Sequence, residues 1–143
     1  MANEIKKITK LSWTKGGASI IVNVDETIDQ TGNNAIENVQ IIGGTSEALV
    51  VGDVSAPAHM AFKNLNAKWS TLTTLQKAGY SSEADYNTKN TVFIGTTNPT
   101  NAGNAIHKLT PGGSAGPFIA LSVTWFACKD TDNVDLLLAA IEV

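Results

Sequence analysis

The 143 residues contain one cysteine, Cys128, and two histidines, His59 and His107. That scarcity removes several kinds of site chemistry at once. A lone thiol excludes an internal disulfide. A structural zinc site would have to complete its four ligands with carboxylates, which is an uncommon arrangement. Nucleophilic catalysis by Ser or Cys needs a base within hydrogen-bond reach, yet neither histidine lies in a nucleophile motif and Gly-x-Ser-x-Gly is absent. Cys128 falls in an alternating apolar run and reads as a packed thiol. His59 and His107 fall in strand-like segments and read as structural residues.

Charge is scarce as well. Ten Lys plus Arg stand against 13 Asp plus Glu, a formal net charge of −3, and charged residues make up only 16% of the chain. No broad positive field exists to gather phosphate backbones or anionic lipid, which argues against nucleic acid or a membrane as a direct partner. Long apolar runs are missing: residues 18–24 come nearest, and Ser19 and Asn23 interrupt them. The first residues, with Lys6 and Lys7, do not resemble a secretory signal, so the expected place of synthesis is a reducing cytosol or a particle assembled there.

What the chain does have is 16 Thr and 13 Asn, a surface that is polar but weakly charged. Interface cores are depleted in charge, so this balance suits a protein largely covered by neighbours. The apolar residues are arranged in period two. Ile20, Val22, Val24 and Ile28 alternate with Asn23, Asp25 and Thr27, which predicts a half-buried strand. Lys15-Gly16-Gly17 before it reads as a turn, making residues 5–13 the first arm of a hairpin; the Ile5, Ile8, Leu11 spacing fits a short helix or an extended arm equally. Residues 36–42 and 48–51 read as a second hairpin about Gly43-Gly44-Thr45-Ser46, and 59–65 as a further strand.

A break in rhythm follows. Trp69, Leu72 and Leu75 are spaced for a short helix over 69–78 with Gly79 at its end, and residues 80–89 read as polar turns. Residues 91–94 and 105–109 then predict strands, 118–128 one long strand with Trp125 in the core, and 134–143 a last strand. Crossover helices are missing, which predicts a mainly β fold: an antiparallel β-sandwich or jelly roll with at most one short helix in an insertion. Residues 1–14 form an N-terminal arm or first strand in this reading, and 15–143 one sandwich domain with an irregular insertion at about 67–90.

No pattern calls for a cofactor or metal. The glycine run Gly112-Gly113-Ser114-Ala115-Gly116 lacks the Lys-Ser/Thr that finishes a phosphate loop, and reads as a turn. Asp130, Asp132 and Asp135 lack the glycine and distal Glu of an EF-hand loop. Adjacent Asp25 and Glu26 point to opposite faces of a strand and make no acid/base pair. The residues that remain are those of an interface: Ile5, Lys6, Lys7, Ile8, Lys10, Leu11 and Trp13 in the arm, and Trp69 in the insertion.

Five short motifs occur in a fixed order: Gly52-Asp53-Val54, Lys63-Asn64-Leu65-Asn66, Val92-Phe93-Ile94-Gly95, Leu109-Thr110-Pro111-Gly112, and the alternating run 136–142 ending in Ile141-Glu142. In this order they resemble small β-rich virion proteins of tailed bacteriophages, over roughly the C-terminal two-thirds of the chain. The chain departs from that pattern by inserting residues 67–86 between the second and third motifs. The resemblance implies a non-enzymatic structural protein of the virion, made in the host cytoplasm. A capsid decoration or cement protein bridging major capsid proteins is the first expectation, and a neck, tail or fibre component the second. Its partners would be other virion proteins and copies of itself, with a trimer preferred by analogy. A different expectation is a carbohydrate-binding β-sandwich in which Trp69, Tyr80 and Tyr86 form a flat platform for sugar rings.

Overall fold

The computed structural model describes residues 4–15, 18–29, 32, 34–99, 103–129 and 132–142. Among the described residues, the strands form two four-stranded antiparallel sheets and a separate two-stranded ribbon. The ribbon is β1 (Glu4–Lys15) with β2 (Ala18–Asp29). The first sheet has the order β3-β10-β5-β8, from β3 (Ala35–Ile42), β10 (Val134–Glu142), β5 (Ala58–Asn64) and β8 (Ser114–Ala120). The second has the order β4-β9-β6-β7, from β4 (Glu47–Ala48), β9 (Phe126–Lys129), β6 (Val92–Gly95) and β7 (His107–Leu109). The mainly β reading of the sequence is thus the observed fold class, with, among the described residues, one helix of seven residues, α2 (Glu83–Lys89).

The core forms where the two sheets face each other. Period-two alternation puts Val134, Leu136, Leu138 and Ala140 of β10 inside, and Ala58, Met60 and Phe62 of β5 beside them, all at most 1% exposed. Ile42 closes the same layer from β3; Val92, Ile94 and Ala127 meet it from the other sheet, and Trp125 from the segment just before β9. Where β8 pairs with β5, the register shifts between Met60 and Phe62. Gly116 sits at that shift with φ +95°, and a Cβ there would lie 2.5 Å from the Met60 carbonyl oxygen.

Three local expectations change. Residues 43–46 do not close a hairpin, because β3 pairs with β10 and β4 with β9, in different sheets. The Glu47 carboxylate accepts from the Gly43 N–H and the Gln40 amide, while the Gln40 side chain also donates to the Ala48 carbonyl and accepts from the Val50 N–H. Side chains here take the place of a backbone ladder and steer the chain across the sandwich. Residues 118–128 likewise form two strands rather than one. At 122–125 the Ser122 hydroxyl accepts from the Thr124 N–H and the Ser122 carbonyl from the Trp125 indole, local bonds that compete with strand pairing. The chain crosses there from β8 to β9.

The third change is in the insertion. The spacing of Trp69, Leu72 and Leu75 yields not one helix but a 3-10 turn at Trp69–Thr71 and a single helical turn, α1 (Thr74–Lys77). Leu72 and Thr73 between them are extended, since Thr73 acts as N-cap of α1 in a capping box with Gln76. The longer helix α2 occupies what the sequence presents as turns. Ser82 caps it by accepting from the Asp85 N–H, and Lys89 pairs with Asp85 one turn apart at 3.1 Å. Its one buried side chain is Tyr86.

Candidate functional site

The ribbon β1–β2 is the most unusual surface of the molecule. Its strands pair with each other along all 12 residues and, among the described residues, with no other strand. At about 3.3 Å per residue that is a ribbon of roughly 40 Å. The register puts positions 5, 7, 9, 11 and 13 on one face together with 28, 26, 24, 22 and 20. Among its described side chains are Val22 and Val24, beside the Lys7–Glu26 pair at 3.6 Å. Val22 and Val24 are each 46% exposed, and Ile8 and Ile21 on the opposite face 64% and 59%. The half-buried strand expected from 20–28 is therefore open on both faces at these positions. An isolated two-stranded ribbon is marginal in water, so one with apolar residues exposed on both faces is suited to packing against something else.

The interface candidates divide accordingly. Lys6, Ile8 and Lys10 are exposed on β1 and Lys7 is half-buried. Ile5, Leu11 and Trp13 belong to the same strand, and their side chains lie outside the described residues. Trp69 is far along the chain in the insertion. Its ring is half-buried, 5.6 Å from Tyr86, with the Lys77 ammonium 5.2 Å over it.

A second apolar surface lies on the outer face of the sheet β3-β10-β5-β8. Outward positions of a sandwich strand are usually polar. Here they include Val39 and Ile41 of β3, 50% and 61% exposed, Ile119 of β8, 58% exposed, and Leu137, Ala139 and Ile141 of β10, half-buried. The register aligns Val39 with Leu137, and Ile141 with His59, which in turn faces Ile119. The ribbon approaches this face through Lys6 and Lys7, which line a cavity with His59, Met60 and Ile141.

The insertion brings together the three aromatic residues expected of a sugar platform, but not as a platform. Trp69 and Tyr86 are tilted by 45°, and Tyr80 meets Tyr86 edge-on at 85° with centroids 4.8 Å apart. The Tyr86 hydroxyl donates to the Ala67 carbonyl, the Tyr80 hydroxyl to Asp132, and the Lys89 ammonium lies 5.6 Å from the Tyr80 ring. The rings form a small core of their own that ties α2 to the sheet. Burial holds the Tyr86 phenol above its ordinary pKa, helped by the Tyr80 and Asp132 charges. The adjoining cleft of about 430 Å³ is lined by Leu65, Asn66, Leu72, Gln76, Tyr80 and Asn90.

Of the histidines, His107 is stacked on Trp125 at 22° with centroids 5.8 Å apart, and it also contacts Phe62 and Phe118. Desolvation pulls its pKa below the ordinary 6.5. A depressed folded pKa means the unfolded chain binds the proton more tightly. The stabilising contribution is then complete above the unfolded value near 6.5 and is lost as pH falls through the folded value. Thermal melts of the wild-type protein should drop between pH 7 and 5 relative to those of His107→Phe, which keeps an aromatic ring and removes the titration. Parallel curves for the two would show that the ring does not titrate on unfolding. Asp85 is held below its ordinary range by the Ser81 backbone N–H and by Lys89, so its effect is confined to stronger acid. Cys128 is buried in β9, and among the described residues no group of three His, Cys, Asp or Glu side chains is placed to hold a metal ion. Among the same residues, no helix is long and apolar enough to cross a membrane.

No family model, curated protein or solved structure matches this chain.

Proposed function

We propose that this protein is a non-enzymatic structural component of a tailed-bacteriophage virion, most specifically a decoration or cement protein that stabilises the capsid by bridging major capsid proteins. One observation carries the reading: a ribbon of about 40 Å with exposed apolar residues on it pairs, among the described residues, with no strand of either sheet of the sandwich. Such a ribbon can add to a neighbour's sheet or lie in an apolar groove. On a symmetric lattice each weak contact is made at high effective concentration, so several modest ones suffice. The order of the five short motifs, which resembles that of small phage virion proteins, and the low charge of the chain favour the same reading.

The test is direct. An antibody against the protein should label intact phage particles at the head in electron micrographs. Val22→Asp combined with Val24→Asp, which places two charges on the apolar face of the ribbon, should reduce incorporation into particles at least about tenfold while the sandwich melts as before. Label at the neck, tail or fibre would move the protein there within the virion, and particles free of the protein would refute the proposal. Deleting residues 2–29 removes the whole ribbon and should act as the double substitution does. Deleting β1 alone would be a poorer test, because it strips β2 of its partner.

A further inference from the structure

Between the ribbon and the outer face of the first sheet lies a cavity of about 140 Å³, lined by Lys6 and Lys7 of β1, His59, Met60 and Ala61 of β5, Pro117, Ala139 and Ile141. His59 is only 5% exposed, and neither of its ring nitrogens has a hydrogen-bond partner among the described residues. A neutral imidazole donates from one nitrogen and accepts at the other, and leaving both unmet in a buried place is costly. The Lys7 side chain, 26% exposed, supplies a positive charge at the same wall. Its contact with Glu26 is long at 3.6 Å, and neither Glu26 nor Asp25 lines the cavity.

The remaining walls are apolar. Ordered buried waters make about three hydrogen bonds, which these walls do not offer away from His59 and the lysines. A water is therefore a poor match to the cavity as a whole. An occupant with one polar, anionic end and an apolar body fits both parts. The volume is close to that of an apolar cavity known to hold a benzene-sized molecule, roughly 150 Å³.

We propose that this cavity binds a small organic carboxylate with an apolar body of about benzene size, its oxygens held by the His59 imidazole N–H and the Lys7 ammonium and its body by Met60, Ala61, Ala139 and Ile141. Such a ligand touches both the ribbon and the sheet and so fastens one to the other. The site stands independently of the virion reading, since it concerns only how this chain holds its own ribbon.

Benzoate is the probe, titrated into the full chain while the His59 ring resonance is followed by nuclear magnetic resonance, with benzyl alcohol and benzylammonium as neutral and cationic counterparts. Benzoate should shift the resonance saturably in the millimolar range, and benzyl alcohol should bind about tenfold more weakly for want of a charge-assisted bond. Lys7→Gln, at a partly exposed ribbon position that leaves the core untouched, should weaken benzoate by about the same factor. Amide exchange in 4–29 should slow when benzoate binds, because a ligand bridging two elements opposes their separation. No saturable shift at tens of millimolar would overturn the proposal. Equal affinity for the three probes, or undiminished benzoate affinity in Lys7→Gln, would overturn it too, since the cavity would then select for an apolar body alone.

Discussion

Phe62→Ala should lower the free energy of unfolding by about 3–5 kcal/mol and the melting temperature by on the order of 10 °C or more. Phe62 lies on β5, in the interior of its sheet, and is 1% exposed. Its ring meets Trp125 at 5.5 Å and Phe118 at 5.8 Å between centroids, and His107 at 6.1 Å. These three partners come from the segment before β9, from β8 and from β7, so a single ring joins both sheets. Truncation would leave a cavity walled by rings that are themselves held by strands, with little freedom to collapse. Leu121→Ala is the matched control: Leu121 is 86% exposed in the crossing between β8 and β9, and its loss should change stability by less than about 0.5 kcal/mol. Urea melts would decide it. A cost for Phe62→Ala below about 1 kcal/mol would mean that the cluster is not what holds the sheets together.

The strands that the sequence makes legible are those whose side chains alternate without local competition. β10 shows this best: Val134, Leu136, Leu138 and Ala140 turn inward and Leu137, Ala139 and Ile141 outward, as the pattern of 134–143 requires. Where a polar side chain can satisfy the backbone locally, periodicity misleads. Ser122 breaks an apolar run that reads as one strand, and Gln40 and Glu47 replace the ladder of an expected hairpin. Helix α2 carried a usable signal in Ser82 followed by Asp85 three residues on, but one buried residue, Tyr86, gives no apolar period to find.

The candidate site was legible in the same uneven way. For residues 5–13 the sequence left a hairpin strand, a short helix and an extended arm open, because the Lys15-Gly16-Gly17 turn signal favours the first while the Ile5, Ile8, Leu11 spacing fits the others; the structure forms the strand. That the ribbon, among the described residues, pairs only with itself could not be read, because period-two alternation in β2 looks the same whether or not a strand joins a larger sheet. Nor could the cavity beside His59. A lone histidine in a strand carries no mark of its partners, and the residues that line the cavity beside this one come from 6–7, 59–61, 117, 139 and 141. Tertiary placement decides what such a residue can do.

Asn64→Asp should be the most damaging isosteric change in the protein, and its damage should grow with pH. Asn64 is fully buried at the end of β5. Its amide donates to the Asn90 carbonyl at 2.8 Å and the Leu109 carbonyl at 3.0 Å, and its oxygen accepts from the Asn66 N–H at 3.0 Å. One side chain thus binds the end of α2 and strand β7 to the first sheet. Aspartate keeps the acceptor and replaces the donor by a second oxygen aimed at two carbonyls, in a place with no water to screen it. Burial and those carbonyls favour the protonated acid, so the folded pKa must rise above the unfolded value of about 3.9. The sign then follows: the variant is nearest to wild-type stability below about pH 4, where the carboxyl can still donate one bond. It loses stability as pH rises towards the folded pKa, by at least about 3–5 kcal/mol at neutrality, the cost of an uncompensated buried charge. Asn64→Leu removes the donor without adding charge, so its cost should be pH-independent over the same range. Denaturant melts of both variants at pH 4 and pH 7 distinguish these outcomes, and an Asn64→Asp protein as stable at pH 7 as at pH 4 would show that the donor at position 64 does not hold the helix and β7 in place.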